Sequence, residues 1–497
     1  MADVVIDIET NGLTPDKIWV LCDSEGNTCT DGYTFKEGNT YYAHNGIGYD
    51  YPVLAHLWGA DVSPRDERLR DTLVLSRLAS PSRDGGHSLE SWGERLGYSK
   101  GDHSDWSQYS DDMLVYCRRD VQLTERVLSE LQRELEGFSE QSIQLEHQVA
   151  WIINQQERNG WLLDQRAVFV LLAELKEKKD ELEQAVHETF KPCAKAVKEI
   201  TPKVKKDGTY STVGLKYLGD DCLDIVGGPH TRIEWQEFNL GSRKQVGERL
   251  VALGWKPTKF TPTGQPEVSE TILMNLSGFP EAELIADYMT VVKRIAMAQS
   301  WLDFVQDDGR VHGCVNPNGA VTGRMTHMEP NMAQVTAGSK IYGTQMRACW
   351  IAPEGYVIVG CDASGLELRM LAHYMNDDDY TREVVDGDVH TANQQAAGLA
   401  TRRLAKTFIY AFLYGAGDAK IGAIAGGGKR EGARLKSQFL RNTPALANLR
   451  DRVQQASRKG FLKGLDGRRI AVRSQHAALN TLLQGAGAVV MKQALVN

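Results

Sequence analysis

Hydrophobic positions along the chain switch between the strand and helix periods in a way that sorts it into three regions. The first opens with the apolar run VVIDI, which predicts a buried strand, and closes with helical spacing through YCRRDVQLTERVLSEL. Short strands mixed with helices in residues 1–135 predict an α/β domain. From 138 to 190 the pattern is strongly helical, with LEHQVAWIINQQERNG carrying apolar residues at helical spacing up to Gly160. Residues 191–240 hold Lys, Gly and Pro with weak periodicity and are expected to form an irregular insert. Helical character returns at 243–254 and 281–306, closing a second region of 138–310. The third, 311–497, mixes one apolar run, YVIVGCD, with long helices. The expected fold class is therefore multidomain, α/β followed by α+β. Neither an internal repeat nor a low-complexity tract interrupts it.

Composition narrows the class without fixing it. The 497 residues can bury large cores unaided, and 42% hydrophobic with 25% charged residues is ordinary for a globular protein. Eight cysteines include no Cys-x-x-Cys pair, so reduced cytosolic thiols are expected rather than zinc or a disulfide framework. The start, MADVVIDIET, lacks a basic-then-apolar leader, and no apolar run reaches the roughly 18 residues of a membrane span. The net charge of −8 argues against a general nucleic-acid coat but permits one basic groove. Basic runs at 191–206, 429–441 and 458–469 read as solvated faces unless their surroundings say otherwise.

The chemistry begins with carboxylates. Asp7 and Glu9, two apart on a strand, leave the same face, and two acids there repel unless a cation lies between them. AHNGIGYDYPVL adds Asp50 after a turn-prone Asn-Gly, and YCRRD sets Tyr116 and Asp120 one helical turn apart. Four acids and a tyrosine on three elements match a two-metal phosphodiester hydrolase, with ions about 3.5–4 Å apart and Tyr116 orienting the water.

A second set lies far downstream. In VIVGCDASGLELRMLAHY a buried strand is expected to deliver Asp362 to a metal site, with the carbonyl of Ala363 as a further ligand and Glu367 on the following helix. In TRRLAKTFIYAFLYGAG, Arg402, Lys406 and Tyr410 recur every four residues and share one helical face. Two cations suit a triphosphate and the ring suits a base or sugar. His390 is placed to add a phosphate contact. GAIAGGGKR offers Arg430 where a P-loop needs Ser or Thr, so a glycine-rich turn between helices is expected there.

These segments resemble two known groups. Asp-x-Glu, Asn-x-x-x-Tyr-Asp and Tyr-x-x-x-Asp, with HSLESWGERLG between, resemble the proofreading exonucleases of four acids and a tyrosine. The resemblance implies a ribonuclease-H-like 3′–5′ exonuclease in 1–135, with Asp7, Glu9, Asp50 and Asp120 as its metal-binding acids. DASGLELR, Arg-x-x-x-Lys-x-x-x-Tyr before Tyr414-Gly415, GAVTGRMTHMEPNMAQV and RSQHAALNTLLQGAGA resemble the family A DNA polymerases, most closely the phage members of the T-seven kind. That likeness implies a thumb at 138–310 and the first part of the palm with the fingers at 311–497. It implies Asp362 as metal ligand, Glu367 as sugar gate, and His390, Arg402, Lys406 and Tyr410 as nucleotide contacts. It further implies Arg324, Asn331, Gln334, Tyr414, Arg473, His476, Asn480 and Gln484 as DNA contacts. Primer-template DNA, dNTPs and two Mg2+ per active site, with Mn2+ as a substitute, follow, as does action in the cytoplasm of a host cell.

Two departures mark this sequence. Family members carry a His-Asp-Glu turn beyond the Gln-Gly-Ala-Gly stretch; here the chain ends at Asn497, and a separate C-terminal polymerase fragment acting in trans is expected. Phage members recruit host thioredoxin through a long basic loop at about the place of residues 191–240, and this insert is Lys-rich but shorter, so thioredoxin is a candidate partner. The alternative reading is a stand-alone exonuclease whose polymerase-like half only grips DNA.

Overall fold

The computed structural model describes residues 2–211, 213, 215 and 228–497. Two compact units emerge from its contacts, one of Met1–Trp161, His312–Gln334 and Glu354–Asn497, the other of Leu162–Val311 and Val335–Pro353.

The first unit opens with β1 (Asp3–Thr10), β2 (Ile18–Asp23), β3 (Thr28–Cys29), β4 (Thr40–Ala43) and β5 (Leu69–Asp71), ordered β3-β2-β1-β4-β5 in one sheet. β1 pairs antiparallel with β2 and parallel with β4, and β4 pairs parallel with β5. Helices α1 (Asp50–Trp58), α2 (Thr72–Ala79), α3 (Leu89–Leu96) and α4 (Asp111–Glu134) accompany it. Strand alternation divides the side chains of β1. Val4, Ile6 and Ile8 join a core with Tyr41, Tyr51 and Leu54, while Val5 joins Trp92, Met113, Cys117 and Leu123. Asp7 and Glu9 therefore share the face of Val5, the face that α4 covers.

Helix α4 starts where Ser110 accepts the Met113 N–H at 3.1 Å and two acids fill the first turn. Its buried stripe runs Met113, Cys117, Asp120, Thr124, Val127 and Leu131, so one carboxylate sits among apolar residues.

The helix α5 (Glu140–Asn159), expected within a region beginning at 138, packs in the first unit. It carries the buried Glu146, which accepts from Lys492 Nζ at 2.7 and 2.8 Å and from Arg468 at 2.7 Å. Lys492 also donates to Asn318 at 2.9 Å, and Arg468 forks onto Asp466. This network ties α5 to the hairpin Phe461–Lys463/Arg469–Ala471 and to the helix Ala478–Val496.

In the second unit the helices Gln165–Thr189 and Pro280–Phe304 pack together, and Val186, Phe238, Leu250, Trp255 and Ile285 share a core. The insert expected to be irregular contains an antiparallel ribbon of Cys193–Ile200 with His230–Gln236. Both of its faces are largely exposed, so no apolar alternation announces it in the sequence. The expectation for 212, 214 and 216–227 lies outside the described residues.

A second correction concerns YVIVGCD. Residues 354–364 form no strand, and Tyr356, Val357 and Val359 are 74%, 82% and 83% exposed. An apolar run becomes a strand only beside another strand that takes its backbone hydrogen bonds, and none pairs with it among the described residues.

Cutting the buried network should be costly. Glu146→Ala leaves the buried Lys492 without its acid and Arg468 with Asp466 alone, and is expected to lower the stability of the first unit by about 3–5 kcal/mol, read from urea unfolding followed by fluorescence. Lys492→Met in the same chain should recover part of that loss.

Candidate active sites

Asp7 and Glu9 leave β1 together, and their ligand atoms lie with the Cys117 sulfur within 4.8 Å of one another. Asp50 begins α1 after a turn in which Asn45 takes φ +64°. Asp71 fixes that turn, accepting the N–H groups of Asn45 and Ile47 at 3.0 Å each, as well as that of Leu73 at the start of α2. Asp120 enters from α4 and, with Asp50, lies near enough for its charge to act on Asp7 and Glu9, although the tight cluster of ligand atoms holds only Asp7, Glu9 and Cys117.

The electrostatics follow from that crowding. Burial pushes the Asp7 carboxyl well up, and the charges of Glu9, Asp120 and Asp50 add to it. Burial lifts Glu9 to about 8, with Asp120 reinforcing, and Asp50 to about 7. Asp120 is raised too, first by burial, although Lys100 at 3.0 Å opposes the shift. Its other oxygen, Oδ1, is buried with no hydrogen-bond partner. Acids with raised proton affinity and an open buried lone pair suit divalent cations. Tyr116, one turn before Asp120, lies against Trp106 and His103, with ring centroids 5.6 and 5.8 Å away.

The downstream set is partly assembled. The helix Arg402–Leu413 buries Ala405, Phe408, Ile409 and Phe412 and leaves Arg402 and Lys406 exposed, with Tyr410 half-buried beside them. Arg402 is held by Asp388 at 2.7 Å, and the same Asp388 caps the helix Val389–Ala397, which presents His390 6.4 Å from the Tyr410 ring. His390 Nδ1 is buried without a partner. Glu367 lies near both Tyr410 and Tyr414. With Arg324 and Gln484 it lines an open cleft of about 350 Å³.

Other expected residues lie apart from that cleft. Asp362 is exposed and, among the described residues, belongs to no cluster of three ligands, and Ala363 follows it in the same unpaired segment. A lone carboxylate does not fit a two-ion centre. Arg473 donates to Ser82 at 2.7 Å. His476 stands beside Lys436 and Arg450 in another hollow. Asn480 lies on the helix of Gln484, whereas Asn331 and Gln334 flank a short 3-10 turn. The expected glycine-rich turn is present, joining the helices Asp418–Ile424 and Lys429–Asn442. A Cβ on Gly432 would lie 1.8 Å from the Asp418 carbonyl oxygen, so only glycine allows these helices to approach.

Sequence patterns missed Asp71, Lys100, Cys117 and Asp388. For Cys117 and Asp388 a signal existed: Cys117 stands within YCRRD, and Asp388 lies two residues before His390.

The backbone is similar to the POL domain of Pol1 from M. smegmatis, solved in complex with DNA primer-template and dNTP. The TM-score is 0.73 at 18% identity, over 99% of this chain and 84% of that one, which establishes a shared fold. Residues 222–497 match DNA polymerase family A. The DNA-directed DNA polymerases of Enterobacteria phage T3 and Escherichia phage T7 are each 37% identical to this chain, over 92% of it and 81% of their own length. The chain belongs to DNA polymerase family A, and its similarity reaches the phage members of that family. No helix among the described residues is long and apolar enough to cross a membrane.

Raised carboxyl pKa values set the sign of a pH effect. Each such acid favours folding fully below its unfolded pKa of about 4 and loses that contribution as pH rises through its folded value, near 7 for Asp50 and 8 for Glu9. In chelator, the first unit should therefore melt at lower temperature at pH 8.5 than at pH 5. Asp7→Asn should raise the melting temperature at pH 8.5 and make little difference at pH 4.

Proposed function

We propose that this chain is a DNA-directed DNA polymerase that copies primer-template DNA with dNTPs and also carries a 3′–5′ exonuclease in residues 1–135. The observation that carries the second activity is the cluster of four acids with raised proton affinity, built on a mixed sheet whose order suits a ribonuclease-H-like domain. Asp7, Glu9 and Asp120 are the residues proposed to hold two Mg2+, with Mn2+ as a substitute and Asp50 completing the acid set. When bound, the ions supply an activated water and charge compensation at the leaving oxygen. Glu9 and the Tyr116 hydroxyl hold the water in line. Its oxygen bonds the terminal phosphorus, the bond from phosphorus to the 3′ oxygen breaks, and that oxygen takes a proton as a nucleoside 5′-monophosphate leaves. Asp7→Ala should lower 3′-end degradation by about a thousandfold, several kcal/mol of barrier; an unchanged rate would remove this site from the reading.

In the polymerase half, with 138–310 as thumb and 311–497 as palm and fingers, Arg402, Lys406 and His390 are proposed to hold the triphosphate and Tyr410 the sugar and base. Glu367 sits where it crowds a sugar 2′ position. Arg324 and Gln484 line the cleft of Glu367 as proposed DNA contacts, with Tyr414 near Glu367 and Asn331, Gln334, Arg473, His476 and Asn480 proposed further along. Asp362 is the proposed palm ligand, and its isolation among the described residues supports the need for a second acidic segment, for which a fragment acting in trans is the proposed source. The exposed run Tyr356–Val359 would then find its strand partner there. The Lys-rich insert at 191–240 is the proposed place for a processivity partner such as host thioredoxin, and the host cytoplasm the place of action.

The same isolation favours a second reading, a stand-alone exonuclease that grips DNA with its polymerase-like half. Primer extension by the purified 497-residue polypeptide separates the two. It should be weak alone, rise at least tenfold with a palm segment carrying a His-Asp-Glu turn, and vanish in Asp362→Asn. Absence of extension under all conditions would favour the second reading.

A further inference from the structure

Four acids brought near one another from β1, α1 and α4 need a counter-charge even before any metal arrives, and one side chain supplies it. Lys100 Nζ stands 3.0 Å from Asp120 Oδ2 and 5.1 Å above the Tyr116 ring. Among the described residues no other ammonium or guanidinium forms an ion pair with Asp7, Glu9, Asp50 or Asp120. The neighbouring cation Arg119 is turned away, donating to the Ser99 carbonyl at 2.7 Å and stacking over Tyr98.

The loop that carries Lys100 is fitted to this place. Gly101 follows it, and a Cβ there would sit 3.1 Å from Tyr116 Cδ2, so glycine lets the backbone press against the ring. His103 and Trp106, further along the same loop, close on other sides of Tyr116. Lys100 is one-third exposed while Asp120 is 4% exposed at its side chain, which gives the ammonium a way out to solvent and leaves the carboxylate fixed. Asp120 is thus divided. One oxygen holds the ammonium, and the other, buried and unpartnered, remains for a ligand.

We propose that Lys100 is a positioning residue of the exonuclease site, an internal counter-ion that holds Asp120 and Tyr116 in place and competes with the entering divalent cation. This rests on the exonuclease reading of the acid cluster. Lys100 differs from a structural ion pair in one measurable respect. A cation beside a metal site repels the metal, so its removal strengthens metal binding even as the side chains it orients lose their alignment.

The test uses the full chain in an Asp362→Asn background, with Mn2+ binding followed by electron paramagnetic resonance without DNA and single-strand degradation measured separately. Lys100→Met should bind Mn2+ at the N-terminal site at least threefold more tightly and turn over at least tenfold more slowly. Lys100→Arg should keep the original affinity. Should the Met variant fold poorly, Lys100→Gln carries the same expectation. Unchanged or weaker Mn2+ binding in the uncharged variants would overturn the proposal, whatever happens to turnover. A parent chain that degrades no 3′ ends would instead remove the exonuclease reading, a separate result.

Discussion

Like charges held close together in a dry place repel, and much of the first unit is arranged around four carboxylates in that position. Asp7 and Glu9 share the α4 face of the central strand, Asp50 starts a helix, and Asp120 interrupts an apolar stripe. Without a cation, burial favours the protonated acids, which is a cost that a merely structural domain has no reason to bear. Lys100 relieves part of it. The rest is relieved by protons at low pH and, in the proposed working state, by divalent ions.

The scaffold opposes that repulsion with rigid supports rather than with more charge. Asp71 spends its carboxylate on the backbone N–H groups that shape the turn before Asp50. His147 of α5 in turn accepts the Asp71 N–H at 2.9 Å. The same α5 carries Glu146, whose two buried cations come from residues more than three hundred positions later. One helix therefore joins the support of the acid cluster to the hairpin and terminal helix of the polymerase-like part. Within a single unit, disturbance at Glu146 reaches Asp71 through the adjacent His147 and its hydrogen bond.

How much of this could be read from the chain alone depended on whether a feature was local. The VVIDI strand, the helix ending at Gly160 and the face of Arg402, Lys406 and Tyr410 are set by spacing within a few residues, and the structure has them. The ribbon of 193–200 with 230–236 was hidden because neither of its faces is buried, which leaves no alternation to detect. YVIVGCD failed in the opposite way. Its residues favour a strand, yet a strand is a relation between two segments, and no described segment pairs with it. Lys100 and Asp71 were invisible for a third reason, since an isolated Lys or Asp gains meaning only from what lies across space. Family membership came through motifs and overall similarity, while the roles of single site residues rest on geometry.

The most direct measurement is an anomalous diffraction map from crystals of the full chain soaked in Mn2+. Two peaks among Asp7, Glu9 and Asp120, with the Lys100 ammonium displaced from Asp120, would agree with the account. Acids that keep their present partners with no manganese between them would contradict it.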